Sequence, residues 1–434
     1  MTDPDAPFDR SLVPPGLRAL GIGGLEALAA EYETPLFVYD EDELRRRCAE
    51  YLAAFGPDRV AYASKAFLCT AMVRLVAEEE LHLDVATGGE LHVALTAEFP
   101  AARIILHGNN KSEAELVMAL DAGVGRIVVD SFDELDRLEA LASGRDEVPR
   151  VLVRVTPGVE AHTHVFIETG TEDSKFGFSV ADGTALAAAR RVAASPSLVL
   201  VGLHCHIGSQ VYVLESYRRA AEIVVGLAAD VQAATGDAVE ELNLGGGLGV
   251  RYLADDPHRD VAGYAATLVD ALGEACAAAG LAPPPRLMVE PGRSIAAPAA
   301  LTLYRVGTVK TVRGGERTYV AVDGGMSDNP RPVLYGAGYE AYLPRCIGAD
   351  RPLPAAVVGK HCEQGDVLVA DARLPADVAP GDLLAMPVTG AYGHAMASNY
   401  NKVPRPAVVF VRGGDARIVV ERESFDDLVR LDRP

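Results

Sequence analysis

A chain of 434 residues, 49% of them hydrophobic, is long enough for more than one domain and a large core. Its formal net charge of -21 argues against a nucleic-acid partner, and no apolar run approaches the roughly 20 residues that a membrane span needs. Six scattered cysteines (Cys48, Cys69, Cys205, Cys276, Cys346 and Cys362) read as free thiols of a reducing cytoplasm, and residues 1–11 carry no apolar core of a secretory signal.

In chain order, the residues before about Ser11 read as disordered, 24–32 as a short helix and 35–39 as a strand. A rhythm of short apolar runs then follows, each succeeded by a helical stretch. The runs are 60–63, 81–86, 103–107, 126–130, 151–155, 198–206, 241–244 and 286–290. Eight such units predict a (β/α)8 barrel, since a doubly wound open sheet would need a reversal of direction that the chain does not display. The rhythm changes after Glu290. Runs 302–312, 318–322, 355–358, 366–370, 382–387, 406–411 and 416–420, separated by Gly, Pro and Asp turns, predict an all-β second domain. The expected organisation is an N-terminal segment 1–35 packing with the β domain, a barrel 36–295 and the β domain 296–434.

Barrel enzymes work at the C-terminal ends of their strands, and the polar oddities of this chain fall there. Lys65 sits where the first run, ending Tyr62-Ala63-Ser64, gives way to a helix expected over 67–77. A lysine buried at that point loses its proton readily and becomes a nucleophile towards aldehydes. Asp84 ends the second run, His107 and Asn109 follow the third, and Arg154 lies in the fifth. His204-Cys205-His206-Ile207-Gly208-Ser209 ends the sixth, Gly245-Gly246-Gly247 follows the seventh, and Glu290-Pro291-Gly292-Arg293 ends the eighth. An aldehyde cofactor such as pyridoxal phosphate needs this set: an amine, a carboxylate for its ring nitrogen, a flat partner for its ring, and amides or hydroxyls for its phosphate.

These motifs resemble the fold type III pyridoxal-phosphate-dependent decarboxylases, the alanine-racemase-like barrel enzymes, and within them the diaminopimelate decarboxylases. The resemblance runs from Thr34-Pro35-Leu36-Phe37-Val38-Tyr39-Asp40 to Met396-Ala397-Ser398-Asn399-Tyr400-Asn401. It implies that Lys65 carries the cofactor, that His206 stacks on the cofactor ring and that Glu290 pairs with the ring nitrogen. It also implies that Ser209, the amides of Gly245, Gly246 and Gly247, and Arg293 hold the phosphate, with Asp84 and Gly292 on the same rim. In the β domain, Met326-Ser327-Asp328-Asn329-Pro330-Arg331 through Tyr335 resembles the segment that binds the substrate carboxylate, with Arg331 and Tyr335 as ligands. Gly359-Lys360-His361-Cys362-Glu363-Gln364-Gly365-Asp366 resembles the catalytic-cysteine segment, and Tyr392 a cofactor and substrate contact. In the family, Cys362 and Glu363 reach the other subunit's site, so a homodimer with shared sites is implied. Thr87 and Gln364 depart from the common pattern at positions without a proposed role.

The activity implied is decarboxylation of meso-diaminopimelate to L-lysine and CO2, the last step of lysine synthesis. Ornithine, arginine or carboxynorspermidine remain alternative substrates. Arg331 and Tyr335 would suit a distal carboxylate and Glu363 a distal ammonium, and Arg293 is open between phosphate and substrate. A rival of another class is a metal-dependent hydrolase, built on the pairs His162/His164 and His204/His206. Against it, the first strand offers Lys65 where such an enzyme would place a histidine pair. Cys205 alternates with both neighbours and faces away from them.

Overall fold

The computed structural model describes residues 7–159, 174–312, 314 and 317–433. Two compact units emerge: Cys48–Gly249 with Arg259–Ser294, and Met1–Arg47 with Val250–His258 and Ile295–Pro434.

In the first unit, eight parallel strands neighbour one another in chain order. They are Ala61–Ala63, His82–Val85, Ile104–Leu106, Arg126–Val129, Arg150–Thr156, Val199–His204, Glu241–Asn243 and Arg286–Met288. The ring closes where Ala61 N donates to Val289 O and Val289 N to Arg59 O, both at 2.9 Å. Each of the eight apolar runs between 60 and 290 therefore supplies a barrel strand. Strands covered on both faces need no polar alternation, which is why the runs read as continuous apolar stretches. Ala61, Ile105, Val128, Leu152, Val201 and Met288, from six different strands, form one buried cluster. Several helices start at side-chain caps: Thr87, Ser112, Ser131 and Asp260 each accept an amide N–H three residues on. At the strands' N-terminal ends, Arg126 (3.0 Å) and Arg286 (2.5 Å) hold the fully buried carboxylate of Glu241.

The helix expected over 67–77 begins later, at Thr70. Phe67 is extended instead, and its carbonyl accepts the Tyr62 hydroxyl at 2.8 Å. The N-terminal helix is longer than expected, Pro15–Tyr32, with a break at Gly21, whose φ is +61°.

The second unit holds a mostly antiparallel sheet. Its order is Val367–Leu374, Leu353–Val358, Thr318–Val322, Ala300–Thr311, Leu36–Asp40, Ala407–Arg412 and Asp415–Val420, with Leu383–Pro387 also pairing Ala300–Thr311. Leu36–Asp40, expected at the start of the barrel, instead runs antiparallel to Ala300–Thr311 and parallel to Ala407–Arg412. It is apolar because both faces are covered, and local pattern cannot say by which sheet. Val250–His258, also expected in the barrel, joins this unit through Arg251, which meets Asp9 at 2.8 Å, and through Tyr252, edge-on to Tyr339. Among the described residues, no helix is long and apolar enough to cross a membrane.

Candidate active site

Of the expected site residues, Lys65, Asp84, His206, Ser209, Gly245, Gly246, Gly247, Glu290, Gly292 and Arg293 lie in the barrel unit. Arg331, Tyr335, Cys362, Glu363 and Tyr392 lie in the β unit.

Lys65 occupies a single 3-10 turn, Ser64–Ala66, directly after the first barrel strand. The turn buries Ser64 and Ala66 and leaves the lysine side chain exposed. This corrects the expectation of a buried lysine: the strand stops at Ala63, and the turn after it packs its first and third residues while Lys65 faces out. Its charge nevertheless acts on Asp84 and His206.

The centre of the rim is Glu290. Its Oε1 accepts from His107 Nε2 at 2.9 Å and Asn243 Nδ2 at 2.7 Å, and its Oε2 accepts from His204 Nε2 at 3.0 Å. Burial raises the Glu290 pKa, but the two imidazoles and their hydrogen bonds outweigh it and hold the carboxyl well below the usual range. His204 is neutral: burial lowers its pKa to about 4 against the pull of Glu290. Asp84 goes the other way. Burial raises it to about 6, with His107 and Lys65 opposing and Glu290 adding to the rise. Asp84 Oδ1 stands 3.7 Å from the same His107 Nε2. His206 is neutral as well, its pKa pushed far down by burial and then by the charges of Lys65 and Arg154. Its Nδ1 accepts the Gly246 N–H at 3.2 Å, so the ring proton sits on Nε2.

These residues fit pyridoxal phosphate. A carboxylate has about four lone-pair sites, and among the described residues Glu290 uses three, which leaves one on Oε2 for a ring N–H. The glycines leave a cradle that no side chain could share. A Cβ on Gly246 would lie 2.1 Å from Glu290 O, and one on Gly247, where φ is +108°, would lie 2.1 Å from Gly208 O. Arg293 Nη2 and Nε donate to Ser209 Oγ at 2.8 and 3.2 Å, so a hydroxyl and a guanidinium stand together for a phosphate. Gly245 N already donates to Asn243 Oδ1 at 3.0 Å, and Gly246 N to His206. Of the three amides expected to bind phosphate, two therefore have protein partners.

In the β unit, Arg331 opens the short helix Arg331–Tyr335, which ends at Gly336 with φ +61°. Its guanidinium lies 4.6 Å from the Tyr252 ring centre and 5.5 Å from that of Tyr339, and it donates to the Tyr339 hydroxyl. Burial opposes its charge, but the phenols of Tyr252, Tyr339 and Tyr392 outweigh burial and raise its pKa. Tyr335 and Tyr392 are half-buried, while Cys362 and Glu363 are exposed. Cys362 N donates to Asn401 Oδ1 at 3.0 Å.

Sequence reasoning did not find Asn243, Tyr252 or Tyr339, and it named His107 without a role and His204 only as half of the rival metal pair. Asn243 ends the strand Glu241–Asn243, and a polar residue at a strand end was the available signal. The pair His162/His164 lies outside the described residues. His204 and His206 do not act as one pair: the first serves Glu290 and the second the glycine loop. Between them Cys205 is buried, and desolvation pushes its thiol up to about 12. Donor atoms of His107, His204 and Glu290 lie within 4.8 Å of one another, and each is already in a hydrogen bond within that group.

Residues 41–297 match the family profile of the pyridoxal-dependent decarboxylase, pyridoxal binding domain. The chain is 53% identical to the diaminopimelate decarboxylase of Mycobacterium tuberculosis, over 94% of this chain and 93% of that protein. It is 48% identical to that of Bacillus subtilis, over 96% and 95%. The crystal structure of diaminopimelate decarboxylase from Helicobacter pylori complexed with L-lysine superposes with a TM-score of 0.86 at 32% identity, covering 94% of this chain and 99% of that one.

Proposed function

Because the chain belongs to the pyridoxal-dependent decarboxylases, and among them to the diaminopimelate decarboxylase family, we propose that Glu290 and its three donors anchor the cofactor ring for removal of CO2 from meso-diaminopimelate, giving L-lysine. Pyridoxal phosphate is the cofactor. When bound, it supplies the electron sink that accepts the pair left by departing CO2.

The remaining roles belong to the chain. Lys65 Nζ is the amine that would hold the cofactor. Glu290, kept ionised in a buried setting, keeps the ring nitrogen protonated, and neutral His206 offers a flat face. Ser209, Arg293 and Gly247 would take the phosphate, with Asp84 and Gly292 beside them. The contact of Arg293 with Ser209 favours phosphate over substrate for that guanidinium. Arg331, fixed between tyrosines, binds the distal carboxylate together with Tyr335, while Glu363 meets the distal ammonium and Tyr392 contacts both cofactor and substrate. The Cys362 thiol returns a proton to the carbon that lost CO2. Its exposure supports service outside its own chain, in a cytoplasmic homodimer with two shared sites.

The observation that carries this reading is the ionised, three-donor Glu290 at the barrel rim. Its test is to offer meso-diaminopimelate, ornithine and arginine separately and measure CO2. Rapid release from meso-diaminopimelate with L-lysine as product is expected. Equal rates on ornithine would move the chain to a diamine-forming activity.

A further inference from the structure

Asp366 joins two segments that the proposed chemistry uses separately. It is 3% exposed. Its Oδ2 accepts both the backbone N–H (2.9 Å) and the Nδ1–H (2.8 Å) of His361, the residue before Cys362. Its Oδ1 accepts the N–H of Met326 at 2.7 Å, in the segment that leads to Arg331. A second tie runs beside it, from Lys360 N to Gly324 O at 2.9 Å. The carboxylate is tightly enclosed: a Cβ on Gly359 would lie 2.1 Å from Oδ2, and one on Gly325 2.5 Å. The His361 ring is stacked on Tyr400, centroids 5.6 Å apart at 11°. The next residue, Asn401, accepts the Cys362 N–H at 3.0 Å, in a left-handed conformation with φ +52°. The exposed thiol thus stands on a buried frame.

We infer that Asp366 and His361 are positioning residues that hold the Cys362 thiol and the Arg331 segment in one rigid frame. This rests on the proposed roles of Cys362 and Arg331. Nothing in that reading requires a histidine or an aspartate here; the hydrogen bonds and the glycine cage do. A proton donor must keep a fixed place against the carbon it serves, and a misplacement of about 1 Å costs up to about a hundredfold in rate.

The test uses the full-length holoenzyme with His361→Leu and His361→Asn. Asparagine keeps an N–H near the place of Nδ1, and leucine does not. His361→Leu is expected to lower kcat about tenfold or more and to raise KM for diaminopimelate, with the cofactor's visible absorbance unchanged. Alkylation of Cys362 by iodoacetamide, followed by peptide mass, should quicken several-fold. His361→Asn should recover most of both effects. Leucine and asparagine variants that behave alike, or a leucine variant that matches wild type, would overturn the inference. Should the leucine variant not fold, Asp366→Asn serves instead, and wild-type kcat, KM and alkylation rate in it would be equally fatal. Full activity of Cys362→Ala would remove the proposed role of that thiol, and the alkylation rates would still decide whether the frame holds it.

Discussion

Glu290 and His204 meet at 3.0 Å between two buried strand ends, a carboxylate held ionised against an imidazole held neutral. The contact is therefore a hydrogen bond from a neutral donor to a charged acceptor. The negative charge stays on Glu290, available to a cationic ring, rather than being neutralised by its neighbour.

Replacing that charge should affect turnover more than cofactor binding. Glu290→Gln keeps the size of the side chain and removes the charge. Its kcat is expected to fall about a hundredfold, with the bound-cofactor spectrum retained. Steady-state kinetics beside an absorbance titration of cofactor checks this. Wild-type kcat in the variant would remove Glu290 as the ring partner.

Asp84 and His204 give the cofactor-free protein two opposed pH dependences. Asp84 has its folded pKa raised from 3.8 to about 6, so the native state favours its proton, and stability drains away as pH rises through that interval. His204 has its folded pKa lowered from 6.5 to about 4, so stability is present above 6.5 and drains away as pH falls towards 4. Each contributes on the order of 3 kcal/mol between its limits, with opposite sign, and the two largely cancel. Urea unfolding of apoprotein from pH 4.5 to 6.5 should therefore separate the variants. Asp84→Asn should gain stability with rising pH more steeply than wild type, and His204→Gln should lose it. Parallel curves for all three proteins would contradict the assigned shifts.

How much of this was legible beforehand varies by kind of residue. The eight barrel strands were plain, because parallel strands covered on both faces are written as short apolar runs with helical spacers. The partners of Leu36–Asp40 were not, since pairing with Ala300–Thr311 and Ala407–Arg412 is set by tertiary contact more than 250 residues away, beyond any local pattern. Glu290 could be singled out as a strand-end carboxylate. That its donors are His107, Asn243 and His204 could not, because only closure of the ring brings four strand ends together. The exposure of Lys65 depends on where the strand stops, and strand ends are the least certain feature of a pattern. Tyr252 and Tyr339 carried no motif at all.

Those two tyrosines lead to a prediction about substrate choice. Arg331 is buried and meets Tyr339 through its hydroxyl, so its guanidinium is oriented before substrate arrives. Tyr339→Phe should raise KM for diaminopimelate several-fold with little change in kcat. Arg331→Met should cost far more, by orders of magnitude in kcat/KM, because a site built for a carboxylate then leaves it unpaired. Ornithine, lacking that carboxylate, should be a poor substrate for wild type and should lose little in Arg331→Met. An equal loss on both substrates would show that Arg331 does not read the distal carboxylate.

The last prediction concerns which subunit Cys362 serves. Lys65 follows a barrel strand, and Cys362 lies on the surface of the β unit with its backbone held by Asn401. If the proposed site is shared, Lys65→Ala and Cys362→Ala damage different halves of one composite site, and each mutant homodimer should be nearly inactive. Lys65→Ala should also lose the visible band of bound cofactor, while Cys362→Ala keeps it. Mixing the two proteins and letting subunits exchange produces heterodimers with one doubly damaged site and one intact site. Random exchange makes about half of the dimers heterodimers, so roughly a quarter of wild-type activity should return under two-fold symmetry. Were Cys362 to act within its own chain, every site in a heterodimer would carry one lesion and no activity would return. Exchange can be followed independently with differently tagged subunits. A mixture that demonstrably exchanges and stays inactive would place Cys362 in its own chain's site.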